Sequence, residues 1–145
     1  MISKSITETA KIADIFLKKI LQDNSRKSGA TVVGLFGDLG AGKTAFTQSI
    51  AKYLGVKEKV TSPTFVIMKK YPIKFKNHKF LFHLDAYRLK NEKELLNLGW
   101  DEITRNKEHF VVIEWPENVS RVIPARARHI YISTNKKGHR NLELK

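Results

Sequence analysis

The chain has 145 residues, 41% of them hydrophobic, and no cysteine. It is long enough for one domain with its own core, and disulfides, Cys-ligated zinc and thiol nucleophiles are excluded. Its formal net charge is +13, which suits an anionic partner such as RNA but equally a lysine-rich chain with no such site.

The first predicted element is a helix. Ile6, Ala10, Ala13, Phe16, Leu17, Ile20 and Leu21 recur at steps of three and four, and "SITE" offers Ser5 as N-cap with Glu8 three residues on, a capping box. "TVVGLF" (31–36) reads as a buried strand and "KTAFTQSIAKYLG" as a helix from Lys43, stopped by Gly55. "TFVIMKKY" and "KFLFHLDAY" follow as strands of a hairpin whose connection holds Pro72 and Asn77. A short helix capped by Asn91, a second buried strand "HFVVIEW" and two late strands, "RHIYIS" and "NLELK", complete the series. The alternation predicts an α/β three-layer sandwich, P-loop NTPase-like, with a mainly parallel sheet and an antiparallel hairpin insertion, over a single domain 1–145. The N-terminus carries no signal-peptide pattern, and no apolar run approaches the ~20 residues of a membrane helix. The expectation is a soluble cytoplasmic protein with no membrane association.

Between the buried strand and the helix lies "GDLGAGKT" (37–44), a match to G-x-x-x-x-G-K-[ST], the Walker A pattern. Wrapping backbone N–H groups around a phosphate chain needs glycines for the dihedrals and the close approach. The following helix points its unpaired N–H groups at the same phosphates. Asp38, Leu39, Gly40, Ala41, Gly42 and Ala45 would frame the nucleotide. Lys43 is spaced to reach the β- and γ-phosphates, and Thr44 to place a hydroxyl on Mg²⁺.

Phosphoryl chemistry also needs a carboxylate near the metal and a group that orients water. Asp85 and Glu114 each end a strand expected to be buried, where such residues collect in open α/β sheets. Thr64, in "TSPTF", is either a switch threonine or part of a plain turn. His83, Arg88 and Trp115 read as packing or structural pairing residues.

In order, "GDLGAGKT", "SPTF", "HLDAYR" and "IEW" resemble the TsaE (YjeE) family, small bacterial P-loop ATPases of tRNA threonylcarbamoyladenosine synthesis, over most of the chain. The resemblance implies ATP and Mg²⁺ as cofactors. It makes Lys43, Asp85, Glu114 and Thr64 catalytic, with Thr44, Glu114 and Asp85 around the metal. Which acid is base and which is metal shell stays open. Ile6 and Thr9 would lie near the adenine, and Arg140, in "GHR", would approach the nucleotide. Family members act with TsaB and TsaD, which place a threonylcarbamoyl group on an adenosine of tRNA, so tRNA would be met through that complex.

The residues leave three other readings open. A small-molecule P-loop kinase would carry an arginine-bearing lid, and only Arg88 and Arg105 lie between Asp85 and Glu114. A GTPase would need an acid where "TNKKG" has Gly138. A non-enzymatic RNA-binding module could use Lys69, Lys70, Lys74, Lys76 and Lys79, interleaved with Tyr71, Phe75 and Phe80.

Overall fold

The computed structural model describes residues 1–23, 29–63 and 66–145. In chain order these form β1 (Ile2–Ser3), α1 (Ile6–Asp23), β2 (Thr31–Phe36), α2 (Lys43–Tyr53), β3 (Met68–Phe75), β4 (His78–Asp85), α3 (Glu92–Leu96), α4 (Trp100–Arg105), β5 (His109–Glu114), a 3₁₀ segment (Pro116–Val122), β6 (Arg128–Thr134) and β7 (Arg140–Leu144).

All of these strands join one sheet in the order β1-β7-β6-β2-β5-β4-β3. The centre, β6-β2-β5-β4, is parallel. The expected β3–β4 hairpin stands antiparallel at one edge, and β7 runs antiparallel to both β6 and β1 at the other. Strand periodicity sorts the core into two clusters. Val33, Leu35, Leu81, Phe110 and Val112 meet α1 and α2 on one face. Val32, Phe82, Leu84, Val111 and Ile113 meet Leu95, Trp100, Ile103 and Val119 on the other. That alternation produces the three layers.

Helix α1 buries Thr9, Ile12, Ala13, Phe16, Leu17 and Ile20. Ile6, placed on the apolar stripe by its spacing, is 79% exposed, because the buried face begins at Thr9, a turn further on. Ser5 does cap the helix, its hydroxyl accepting from the Glu8 N–H. The Glu8 carboxylate accepts from the Lys4 N–H instead of closing the box on Ser5. Helix α2 ends as expected. The Gly55 N–H donates to the Lys52 carbonyl and the Val56 N–H to that of Ala51, a Schellman pairing.

Two local expectations change, and two elements are additional. Strand β3 begins at Met68, not in "TFVI": Val66 and Ile67 turn back, their N–H groups donating to the Pro63 carbonyl. Pro72 lies inside β3, opposite Phe80, and not in the connection. It is tolerated there because β3 is an edge strand whose outer side needs no N–H donor. Helix α4 and strand β1 were not expected. Gly99, adopting φ 87°, separates α4 from α3, and β1 has only two residues to show a pattern.

Trp100 is the largest side chain sealed beneath the second face, 1% exposed, with its indole N–H on the Val122 carbonyl at 2.9 Å. Trp100→Ala is expected to lower unfolding free energy by about 3–5 kcal/mol. Leu39→Ala, at a residue 67% exposed, should change it by no more than about 0.5 kcal/mol. Urea titration of both variants checks this, and comparable losses would contradict the assigned core.

Candidate functional site

The carboxyl ends of the parallel strands open onto a cavity of about 300 Å³ between the β2–α2 loop and the ends of β4 and β5. The loop reaches it through unusual backbone. Gly40 and Gly42 adopt φ 79° and 100°, the left-handed region open to glycine at little cost. Gly42 is also the N-cap of α2, without a side-chain cap bond, so the first amides of the helix face this end of the sheet. The Ala41 N–H donates to the Asp38 carbonyl at 3.0 Å, closing the turn. Asp38, Leu39 and Gly40 are exposed on its outer side.

Lys43, the first residue of α2, folds its side chain under the loop. Its ammonium donates to the carbonyls of Gly37 and, at 3.0 Å, Asp38, and sits 4.2 Å from the Trp115 ring centroid. Burial pulls its pKa below the usual lysine value, a shift opposed by the carboxylates of Glu114, Glu117, Asp85 and Asp38. Thr44 and Ala45 line the cavity beside it.

Parallel register brings the two acids together. Asp85 ends β4 and Glu114 ends β5, and they are paired directly across the ladder. Both are buried, at 6% and 3% exposure. The Glu114 carboxylate oxygen Oε2 accepts from the Thr44 hydroxyl at 3.4 Å and lies 2.6 Å from His83 Nε2. Asp85 Oδ1 accepts from the Tyr87 N–H at 2.9 Å, which orients it at the strand end. Buried carboxylates are held in this way only when such donors compensate them.

Thr64 lies outside the described residues. Ser62, two positions before it, lines the cavity. Ile6, Thr9 and Arg140 line a second, smaller cavity of about 190 Å³ where α1 meets the start of β7. The Thr9 hydroxyl is already engaged with Ser3, at 2.6 Å, and with the Ser5 carbonyl. Arg140 links the two cavities, its guanidinium carbon 2.7 Å from where a Cβ on Gly42 would stand.

Two residues read from sequence as packing groups touch the site: Trp115 lines the cavity, and His83 lies beneath it against Glu114. Trp115 adopts φ 59° at the end of β5, which turns its ring toward Lys43 and against Tyr87 at a centroid distance of 5.0 Å. Trp115 is the N-cap of the 3₁₀ segment that starts at Pro116, and a left-handed conformation is uncommon for a tryptophan, so periodicity does not signal it. His83 is fully buried on Glu114. The "TNKKG" segment makes a hairpin turn: Asn135 Oδ1 accepts from the N–H groups of Lys137 and His139. Within the basic hairpin, Lys79 pairs with Glu108, Lys69 donates to Thr61, and the Lys70 ammonium lies 4.0 Å from the Phe80 ring centroid.

Chemically, an ammonium, a hydroxyl and the amides of a helix N-terminus form an anion-binding arrangement. Two carboxylates beside the hydroxyl are oxygen donors of the kind hard divalent cations take. Comparison with known proteins agrees with the architecture. A family model described as "Threonylcarbamoyl adenosine biosynthesis protein TsaE" matches residues 3–142. The tRNA threonylcarbamoyladenosine biosynthesis protein TsaE of Treponema pallidum is 31% identical over 143 residues, covering 99% of this chain and 97% of that protein. Its namesake from Bacillus subtilis is 39% identical over 103 residues, 70% of this chain and 60% of that protein. The crystal structure of Bacillus subtilis YdiB superposes with a TM-score of 0.71 and 28% identity over 98% of this chain and 80% of that one. The architecture is thus a P-loop NTPase-like three-layer α/β sandwich. With a family match over nearly its whole length and a relative aligned end to end, the chain belongs to the TsaE family.

Proposed function

We propose that this protein binds ATP with Mg²⁺ and hydrolyses it in support of threonylcarbamoyl modification of adenosine in tRNA, in the cytoplasm, with TsaB and TsaD as partners. The observation that carries this reading is the convergence of Lys43, Thr44, Asp85 and Glu114, from three separate elements, on one cavity beneath a glycine-rich loop. The pathway comes from the names of the family and its relatives. No helix among the described residues is long and apolar enough to cross a membrane.

The residues fit a magnesium nucleotide. The left-handed backbone at Gly40 and Gly42 frees the loop amides to face a phosphate chain. Among the described residues no group of three His, Cys, Asp or Glu could hold a metal by itself. Thr44, Glu114 and Asp85 would therefore share a cation with phosphate oxygens, the usual habit of Mg²⁺. When bound, Mg²⁺ neutralises charge on the β- and γ-phosphates.

In this reading Lys43 moves from the loop carbonyls to the phosphates and stabilises charge developing there. The Glu114 carboxylate, held by Thr44 and His83, orients and deprotonates the attacking water, while Asp85 supports the metal shell. Thr64 acts as the switch threonine. Ile6 and Thr9 shape the adenine end, and Arg140, over Gly42, lies against the nucleotide. The remaining loop residues, Asp38, Leu39, Ala41 and Ala45, frame the phosphates.

ATP hydrolysis by the purified chain, alone and with TsaB and TsaD, tests the proposal. Slow turnover that the partners raise is expected, and transfer of phosphate to an acceptor instead would overturn it. Lys43→Ala should weaken ATP binding about tenfold or more, the loss of a charge-assisted contact, as read by calorimetric titration. At saturating Mg²⁺, Glu114→Gln should bind ATP within about threefold of wild type yet turn over about a hundredfold more slowly, the scale of a lost general base. Equal losses of binding and turnover would make Glu114 a structural residue.

A further inference from the structure

His83 does more than fill the core. It is fully buried on β4, on the same strand face as Asp85, and its ring reaches across to β5. Nε2 lies 2.6 Å from Glu114 Oε2, the oxygen that also accepts from the Thr44 hydroxyl. Its other nitrogen, Nδ1, is buried with no hydrogen-bond partner among the described residues. A leucine or phenylalanine would fill this space without an orphaned polar atom, and such an atom is a cost that native cores avoid. Among the described residues the cost is offset by the bond the ring makes to the acid at the end of β5.

We infer that His83 is a positioning residue: its Nε2–H fixes the Glu114 carboxylate so that one oxygen stays beside Thr44 and the other is presented to the cavity. A glutamate has three side-chain torsions, and at a strand end little backbone packing restrains them. With Oε2 held between the imidazole and a hydroxyl, the carboxylate keeps one orientation, as outer partners of acidic ligands do elsewhere. The bond also keeps the ring in the tautomer with its proton on Nε2, which suits an ionised carboxylate acceptor. This inference rests on the proposed role of Glu114 in ATP hydrolysis.

Three substitutions separate positioning from packing. Gln places an amide N–H near where imidazole Nε2 stands, Asn places it too close to the backbone to reach Glu114, and Leu fills the space without a donor. Full-length His83→Asn and His83→Leu should bind ATP without Mg²⁺ within about threefold of wild type. Both should need about tenfold more Mg²⁺ to reach full nucleotide affinity and should lose about tenfold in single-turnover hydrolysis, the usual range for a lost outer partner. His83→Gln should recover most of both. Adding His83→Asn to Glu114→Gln should cause no further loss, because the bond is already altered. Wild-type Mg²⁺ dependence in His83→Asn, or equal defects in Gln and Asn, would overturn the inference; since neither comparison needs the leucine variant, poor folding of that protein leaves the test intact. If Glu114→Gln itself hydrolyses normally, the reading of Glu114 fails first; if Glu114→Gln is impaired and His83→Asn is not, only the role of His83 falls.

Discussion

The site depends on a single backbone constraint, the left-handed turn through Gly40 and Gly42 between β2 and α2. A residue with a Cβ pays a steric cost in that region. At Gly42 it would also press on the Arg140 guanidinium. The turn lets a central strand end and a helix begin within a few residues, so helix amides, the Lys43 ammonium and the Thr44 hydroxyl face the same space. Such a helix start carries partial positive charge and favours an anion.

The sheet supplies the opposite charges. Because β2, β5 and β4 are parallel neighbours in register, their carboxyl ends coincide, and Asp85 and Glu114 stand side by side next to the loop. Both acids are buried, so each needs donors: Tyr87 N–H for Asp85, Thr44 and His83 for Glu114. Lys43 is buried among the same carboxylates, which oppose the loss of its proton. Burial of Lys43 outweighs that opposition, so its pKa stays below the usual lysine value.

Much of this architecture was legible because it rests on local chemistry. Glycine spacing marks the loop, short apolar runs mark the parallel strands, and Asn91 and Gly55 mark helix ends that the structure contains, Asn91 accepting from the Lys93 N–H. Asp85 and Glu114 were visible as acids that end apolar runs. What escaped depends on contacts remote in sequence. Pro72 looks like a loop residue until β3 is known to be an edge. Trp115 and His83 look like core residues until β5 is paired with β2 and with β4, since their partners, Lys43 and Glu114, lie 72 and 31 positions away. Ile6 failed as a core residue because a periodic stripe does not say where along a helix the neighbouring layer begins.

The central claim is that main-chain amides at this turn hold a polyphosphate. Backbone amide NMR during titration with Mg²⁺ and a non-hydrolysable ATP analogue addresses it most directly. The account predicts that the amide signals of Gly40 to Ala45 shift the most, with Arg140 and Thr9 moving less. Saturable binding that leaves those loop amides unchanged, or that shifts chiefly the Lys69–Lys79 hairpin, would contradict it.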